Sequence, residues 1–407
     1  MSLFQADGFL EKLTRVELKK HFQKKKIVKT LYLHGTLTMA EIMKGLDIST
    51  PTLQNLIDEL RKEEIIHILG SGSSKGGRRP NLYGLRKDAL YVLSINIGNY
   101  VTRLALFDST NKKATHIEEL PLELKNDFSI VNRIYEFARD MIKESGVEES
   151  RIIGIGIDMP GLVESEKGIN HSILHFDEPL RDLFVKKFHK PVVIENDTQA
   201  KALAEFRFGK AIGKQHVLVL HLGWGIGLGM ILNGKPYHGA RGFSGEFAHI
   251  PMTDERGYLC SCGKRGCLET VTSGAALTRL AIEAIEKGEM TLIKEMAHNK
   301  VNNITPKLIL KAAQKDDQFA ISIISKIGFD LGKGIGSLVQ ILNPEMIILS
   351  GPLTEAGSYL TTSIEQALQQ YTFGISREGM KLSISELGNT ADLLGNVINV
   401  MESLFEN

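Results

Sequence analysis

The sequence predicts an α/β protein of two lobes preceded by a small helical head with a β-wing. Three observations predict it: a charge split near residue 86, an alternation of β-rich and helical stretches after that point, and glycine runs placed at strand ends. The chain has 407 residues, room for two to three domains at about 100–200 residues each. Its 43% apolar and 24% charged residues are the composition of a globular protein and argue against disorder, collagen and coiled coil. No apolar run reaches the roughly 18 residues needed to span a bilayer. The N-terminal stretch MSLFQADGFLEKL lacks the charged start, apolar middle and small-residue cleavage site of a signal peptide. A cytoplasmic location and no membrane partner are therefore expected.

The net charge of +1 conceals the first division. Residues 1–86 hold 15 Lys and Arg against 9 Asp and Glu, and the remainder holds 34 against 39. A basic head suggests an anionic partner, although a solvated face would give the same count. The local sequence decides. Ile27, Val28, Leu31 and Tyr32 fall at helical spacing, and Gly35 ends that helix. Thr38-Met-Ala-Glu41 is a capping box opening a short helix to about Gly45. Thr50-Pro51 supplies the next N-cap with proline at the first helical position. Leu53, Leu56, Ile57 and Leu60 then form one apolar stripe. Thr50, Thr52, Gln54 and Asn55 lie at the N-terminal end, the part of a recognition helix that meets base edges. Strands at Ile65–Leu69 and Asn81–Leu85 flank SGSSKGGRRP, whose Lys75, Arg78 and Arg79 read as a wing touching phosphates or the minor groove. Residues 1–86 are thus expected to be a winged helix-turn-helix domain bound to double-stranded DNA. The alternative is a helical interaction module with a basic loop.

After Arg86, β-rich runs recur at Leu90–Ile97, Arg103–Phe107, Arg151–Ile157, Pro191–Glu195, Val217–Leu222 and Met346–Leu349. Helical stretches such as Ile130–Glu144, Gln199–Phe208 and Asp330–Leu342 alternate with them, which argues for parallel sheets covered by helices. So long a body is expected to divide, into lobes at 87–200 and 201–407, with the C-terminal helix free to return to the first. The runs GIGIDMPG (154–161) and GWGIGLG (223–229) follow the glycine pattern that lets backbone approach a ligand, commonly phosphate. No GxxxxGK[ST] is present, and no GxGxxG opens a helix with an acid downstream. P-loop and dinucleotide readings fail on that ground.

All three cysteines lie within eight residues, in C-S-C-G-K-R-G-C-L-E (Cys260–Glu269), separated by ten residues from His249 of G-F-S-G-E-F-A-H-I (Gly242–Ile250). Three thiolates and one imidazole suit tetrahedral Zn²⁺. His249, Cys260, Cys262 and Cys267 fill the shell, so the zinc is structural rather than a Lewis acid with an open position. No C-x-x-C pair exists, which argues against a redox role.

GEFAH followed by CxCGxxGCxE resembles the signature of the ROK family of repressors and sugar kinases, over roughly residues 88–407. With the head, the chain is similar to the family's repressor branch, which governs N-acetylglucosamine and xylose operons. The resemblance implies a two-lobed actin-like/hexokinase-like ATPase fold with a sugar site near the metal loop. It assigns sugar contacts to Asn196, Asp197, Glu246, His249 and Glu269, with His175 in the place of a family asparagine and Asn170 as the alternative. In the family's kinases the residue matching Asp197 is the catalytic base. Here the same aspartate also suits the N-cap of a helix starting at Thr198.

The nucleotide side departs from the family. Where kinases carry D-x-G-G-T, this chain has Asn96-Ile-Gly98-Asn99-Tyr100. Where they carry L-G-T-G-I-G, it has Leu222-Gly223-Trp224-Gly225-Ile-Gly227, and in place of the adenosine-side G-G it has Ser350-Gly351-Pro352. Phosphoryl transfer depends on positioning and charge stabilisation, so ATP and Mg²⁺ are not expected. The expected protein is a sugar- or sugar-phosphate-responsive repressor of carbohydrate-utilisation genes, a homodimer or homotetramer. The rival is an ATP-dependent hexose or N-acetylhexosamine kinase that kept a DNA-binding head.

Overall fold

The computed structural model of the protein describes residues 2–4, 13–46, 48–71, 79–253 and 256–406. The chain divides into two compact units, Met1–Asp197 with Leu393–Asn407, and Thr198–Asp392. No helix among the described residues is long and apolar enough to cross a membrane.

The first unit begins with α1 (Arg15–His34), opened by a Thr14/Glu17 capping box and closed at Gly35 with φ 74°. After β1 (Leu37–Thr38), the Thr38/Glu41 capping box starts α2 (Met39–Lys44) as the sequence predicts. α3 (Thr50–Lys62) differs by one residue: Ser49 is the N-cap, its hydroxyl accepting from the Thr52 N–H, and Pro51 sits one position inside the helix. Either placement leaves the missing proline N–H among the unpaired donors of the first turn. Leu53, Leu56, Ile57 and Leu60 are all buried. β2 (Ile66–Ser71) and β3 (Asn81–Leu85) pair antiparallel, with β1 on the far edge of β3. A bulge between Ile68 and Gly70 carries β2 beyond the expected end. Lys75 and Arg78 of the wing lie outside the described residues; Arg79 is exposed.

The core of this head continues past residue 86. Ile27, Leu31 and Leu56 share one apolar cluster with Leu90, Phe107 and Ile153, and with Val397, Val400 and Met401 near the C-terminus. Arg86 ties the junction, reaching Asp88 at 2.9 Å and Glu64 at 3.1 Å.

The rest of the first unit is a five-stranded sheet: β4 (Tyr91–Ile97), β5 (Val101–Asp108), β6 (Glu118–Pro121), β7 (Ile152–Met159) and β10 (Val192–Asn196), in the order β10-β7-β4-β5-β6. A two-stranded ribbon, β8 (Val163–Glu164) and β9 (Ile169–Asn170), lies between β7 and β10 in the chain. The sheet is mixed, which corrects the expected parallel arrangement: β10-β7-β4 is parallel, but β4-β5-β6 is an antiparallel meander. The turn between β4 and β5 is closed by the Gly98 N–H on the Val101 carbonyl at 3.1 Å, far too short for a parallel crossover. α4 (Ser129–Ser145) and α5 (Leu180–Phe188) cover one face. α14 (Ala391–Glu406) covers the other.

The second unit repeats the plan. β11 (Val217–Leu222), β12 (Ile226–Leu232), β13 (Lys235–Pro236), β14 (Met346–Ser350) and β15 (Lys381–Ile384) run in the order β13-β12-β11-β14-β15. Again the first three strands form an antiparallel meander and the fourth and fifth add in parallel. α6 (Asp197–Phe208) enters this unit from the end of β10. Between β13 and β14 lie α7 (Glu269–Thr272), α8 (Gly274–Glu286), α9 (Leu292–Met296), α10 (Pro306–Ala313) and α11 (Gln318–Leu342). α12 (Ser358–Tyr371) and the single turn α13 (Gly374–Arg377) precede β15.

The glycine runs serve packing more than the sequence suggests. A Cβ at Gly154 would stand 2.7 Å from Val400 Cγ1, and one at Gly156 would stand 2.6 Å from the Asn396 carbonyl oxygen. These two glycines therefore let α14 lie directly on β7; they do not line a ligand. Gly227 and Gly229 do the same for α6, with Thr198 Oγ1 at 2.1 Å and Ala202 Cβ at 2.5 Å from the positions a Cβ would take. Only Gly223 and Gly225 of that run remain at the strand end.

Candidate metal and ligand site

The metal loop is built by the chain doubling back on itself in the second unit. Gly245, at φ 93°, turns the chain so tightly that a Cβ there would meet the Leu228 carbonyl oxygen at 2.2 Å. Phe247 and Ala248 then bury in the core and fix the single turn that presents His249. The return strand is held by the Met252 N–H on the Gly266 carbonyl (2.8 Å) and the Leu268 N–H on the Ile250 carbonyl (2.9 Å). Between them, Gly263 and Gly266 take φ values of 84° and 75°, which lets three sulfurs converge.

The side chains of His249, Cys260, Cys262 and Cys267 bring their ligand atoms within 4.8 Å of one another. Cys260 Sγ lies 3.4 Å from His249 Nδ1, and Cys262 Sγ lies 3.6 Å from Cys267 Sγ. Tetrahedral ligands on one small ion stand about 3.8 Å apart for two sulfurs at 2.3 Å from it, so the cluster fits a metal ion. The thiols say the same. Burial and then the neighbouring thiols push Cys267 up to about 12, and burial raises Cys260. Cys262 is lowered, chiefly by the Lys264 backbone N–H, so two of the three thiols resist ionising and a cation among them would relieve that.

His249 uses its two nitrogens differently. Nδ1 faces Cys260, while Nε2 lies 3.7 Å from Glu246 Oε2. Glu269, first residue of α7, lies 3.5 Å through Oε2 from both Cys260 Sγ and Ser261 Oγ. Burial raises the Glu246 carboxyl above its ordinary range; His249 opposes that and the negative charge of Glu269 adds to it. Glu246, His249 and Glu269 are thus one polar cluster seated on the metal loop.

The remaining sequence-predicted residues belong to the first unit. Asn196 ends β10, and its Nδ2 donates to the Gly161 carbonyl at 3.1 Å. Asp197 is the first residue of α6, so the helix begins one position earlier than expected. His175 is exposed and stacks on His171 at 6.3 Å between ring centroids. Asn170 is committed to shaping its own loop. Its Oδ1 accepts from the N–H groups of Ser172 and Ile173, and its Nδ2 donates to the Pro160 carbonyl.

The two nucleotide-type loops are the first hairpins of the two sheets. In the first unit, Asn96 is buried and takes two bonds on Oδ1 from Arg103, at 3.2 and 2.9 Å. Its Nδ2 donates to Asp158 Oδ2 at 2.5 Å, and Asp158 Oδ1 accepts from Asn396 of α14, also at 2.5 Å. Sequence reading missed Arg103, Asp158 and Asn396. The one available signal was an acid inside the otherwise apolar strand Ile152–Met159. Tyr100 at this hairpin is 74% exposed. In the second unit, Trp224 at the hairpin tip is 62% exposed, and a Cβ at Gly225 would stand 2.6 Å from Glu269 Oε1. On the adenosine-side segment, Gly351 takes φ 91° and would, with a Cβ, meet the Leu222 carbonyl oxygen at 2.6 Å.

On the head, Thr50 and Asn55 are exposed, and Thr52 and Gln54 half-buried. Gln54 is tied to Asp58 at 2.9 Å, and the Thr52 hydroxyl shares a bond with Ser49 at 2.8 Å. Lys20 and Lys24 of α1 pair with Glu59 of α3 at 2.6 and 2.9 Å, so part of the basic excess is spent holding α1 to α3.

Comparison with known proteins agrees with both halves. The ROK family model matches residues 92–402, and a winged helix-turn-helix DNA-binding model matches residues 23–67. The chain is 29% identical to the xylose repressor of Caldicellulosiruptor bescii over 399 residues, covering 95% of this chain and 97% of that protein. It is 32% identical to a glucokinase of Halalkalibacterium halodurans over 313 residues, 76% of this chain and 94% of the other. A crystal structure of a ROK family transcriptional regulator, a homolog of the Escherichia coli MLC protein, superposes with a TM-score of 0.80 at 25% identity, over 95% of this chain and 97% of that one. A metal loop with its acidic cluster, a duplicated mixed sheet and a winged head thus stand together with a family match over most of the length: the chain belongs to the ROK family.

Proposed function

We propose that this chain is a sugar-responsive DNA-binding transcriptional repressor of carbohydrate-utilisation genes. The observation that carries the reading is the joining of a winged helix-turn-helix head to a ROK body whose His249–Glu246–Glu269 cluster is polar, acidic and positioned by a metal loop. Two carboxylates side by side accept from adjacent hydroxyls, the pattern a pyranose presents. Zn²⁺ is the metal the donor set favours. His249, Cys260, Cys262 and Cys267 would hold it, and it would supply no chemistry beyond fixing the loop. A metal held through His249 Nδ1, the nitrogen nearest Cys260, would set the tautomer at Nε2 for a hydroxyl. Asn196, Asp197 and His175 are further candidate sugar contacts, as the family resemblance implies. Asn55, Thr50, Thr52, Gln54 and the wing residues Lys75, Arg78 and Arg79 would meet DNA. A homodimer follows from the two-fold half-sites such heads read, about one helical turn apart.

The second reading, a sugar kinase, draws on the 32% identity to a glucokinase. Against it stand the buried amide of Asn96 where the family's kinases hold a carboxylate, and an indole where they hold a hydroxyl. Operator DNA from the chain's own upstream region, titrated with protein with and without each sugar, tests the first reading. Sugar must change operator affinity, because an effector shifts an equilibrium only through unequal affinity for the two states. Unchanged operator affinity at saturating levels of every bound sugar sinks the repressor reading. ADP release dependent on sugar and abolished in Asp197→Asn establishes the kinase instead.

A further inference from the structure

We propose that Trp224 forms an aromatic subsite beside the Glu246–His249–Glu269 cluster, so that the effector of this chain is a neutral disaccharide or longer oligosaccharide whose second ring lies on the indole. The proposal rests on the sugar-binding reading of that cluster and names the size and charge class of its ligand.

The hairpin that carries Trp224 is rigid. The Gly223 N–H donates to the Gly225 carbonyl at 3.0 Å, and the first two N–H groups of α8, from Gly274 and Ala275, donate to the carbonyls of Gly223 (2.9 Å) and Trp224 (3.1 Å). That anchoring has a chemical consequence. A helix N-terminus favours anions through its unpaired N–H groups, and here two of them are already used by the hairpin. The neighbouring charge has the same sign as a phosphate: Gly225 lies against the carboxylate of Glu269 so closely that no Cβ would fit unless that side chain moved. A phosphorylated ligand meets repulsion at this position.

What the position offers instead is an exposed aromatic face on a hairpin whose backbone is anchored. The indole is 62% exposed, and its N–H makes no hydrogen bond among the described residues. An exposed π-face with an adjacent donor suits the C–H face of a second pyranose and one of its hydroxyls. The first ring, held by Glu246, His249 and Glu269, delivers the second to Trp224 because Gly225 joins the two.

Trp224 is the single tryptophan of the chain, so emission of the full-length, metal-loaded protein reports this residue. The titration uses D-xylose, D-glucose and N-acetylglucosamine; xylobiose, cellobiose, maltose and N,N′-diacetylchitobiose; the 6-phosphates of glucose and N-acetylglucosamine; and a non-hydrolysable ATP analogue, with calorimetry in parallel. At least one disaccharide is expected to bind about tenfold tighter than its own monosaccharide and to shift the emission to the blue. Trp224→Ala is expected to remove that advantage while leaving monosaccharide affinity within about twofold and thermal unfolding unchanged; Trp224→Phe keeps most of it. Disaccharides no tighter than monosaccharides, equal losses for both in Trp224→Ala, or tightest binding by a sugar phosphate or the nucleotide overturns the proposal. Monosaccharide binding abolished by Glu269→Gln leaves the sugar reading standing in any of those cases. No binding of any sugar overturns both.

Discussion

The two units share one sheet plan, yet their first hairpins have diverged in opposite directions. The hairpin of the first unit is locked from within: Asn96, Arg103, Asp158 and Asn396 form a buried chain of bonds that runs from β4 to α14, the helix packed under the DNA-binding head. The hairpin of the second unit is held from outside, by the N-terminus of α8 and the carboxylate of Glu269; each hairpin leaves one aromatic residue in solvent, Tyr100 in the first and Trp224 in the second. The same loop position has become a structural joint in one unit and a candidate ligand surface in the other. In the first, polar groups satisfy one another; in the second, a carboxylate lies against the hairpin next to an exposed indole. Each half of that contrast can be broken separately.

The largest effect is expected at the metal loop. Cys267→Ser leaves three of the four candidate ligands in a loop that a bound ion would cross-link. Metal content should fall below one per chain. Sugar binding should be lost, and the second unit should unfold about 5–10 °C lower, since metal-binding free energy in such sites is folding free energy. Elemental analysis with scanning calorimetry checks it; wild-type melting in a metal-free Cys267→Ser protein removes the metal loop from the argument.

Next comes Gly156→Ala in the first unit. The added Cβ would sit 2.6 Å from the Asn396 carbonyl oxygen and 2.8 Å from Asn396 Cβ, backbone and near-backbone atoms that cannot swing away. Overpacking of this kind costs about 1–3 kcal/mol, and it should fall on the joint between α14 and β7. Operator binding should weaken along with stability, while the second unit's emission response to sugar stays intact. Chemical denaturation and operator titration on the same sample separate the two.

Asn96→Asp restores the residue type of the family's kinases but sets a second carboxylate against buried Asp158, with Arg103 left to serve both. A buried charge placed this way costs about 1–3 kcal/mol. Turnover of ATP should stay at background because Trp224 still occupies the second loop. Sugar-dependent ADP release in this single variant defeats the comparison on its first-unit side.

What was legible in the sequence was whatever is written locally. The capping box Thr38/Glu41 and the stripe Leu53–Leu60 each lie within a few residues, and the metal ligands are brought together by a doubled-back loop of about 20 residues that its own glycines shape. What was not legible depends on partners far along the chain. Gly154 and Gly156 look like ligand-approach glycines until Val400 and Asn396 are seen above them. Asn96 looks like a lost carboxylate until Arg103 and Asp158 show what the amide now joins. The edge strand β6, Glu118–Pro121, carries two glutamates and a proline and has none of the apolar alternation that marks its neighbours. The mixed sheet follows from that missed strand and from the short β4–β5 turn.

The smallest effect on stability is expected at Gly225→Ala, where the change falls on function instead. Among the described residues beyond its chain neighbours, its Cβ would meet Glu269 Oε1 at 2.6 Å and Glu269 Cδ at 3.8 Å, the far end of a flexible side chain. The fold can accommodate it by turning that carboxylate aside, so stability should change by no more than about 0.5 kcal/mol, the range of substitutions that disturb no core contact. Glu269 turned aside no longer shares its oxygen with Cys260 and Ser261 and no longer faces a sugar hydroxyl. A charged hydrogen bond to ligand is worth about 1.5–3 kcal/mol, so monosaccharide affinity should fall roughly tenfold or more at an unchanged melting temperature. Gly156→Ala in the other unit does the reverse, losing stability first. If Gly225→Ala instead melts early and binds sugar normally, the second hairpin is a structural joint like the first, and the division between the two units falls with it.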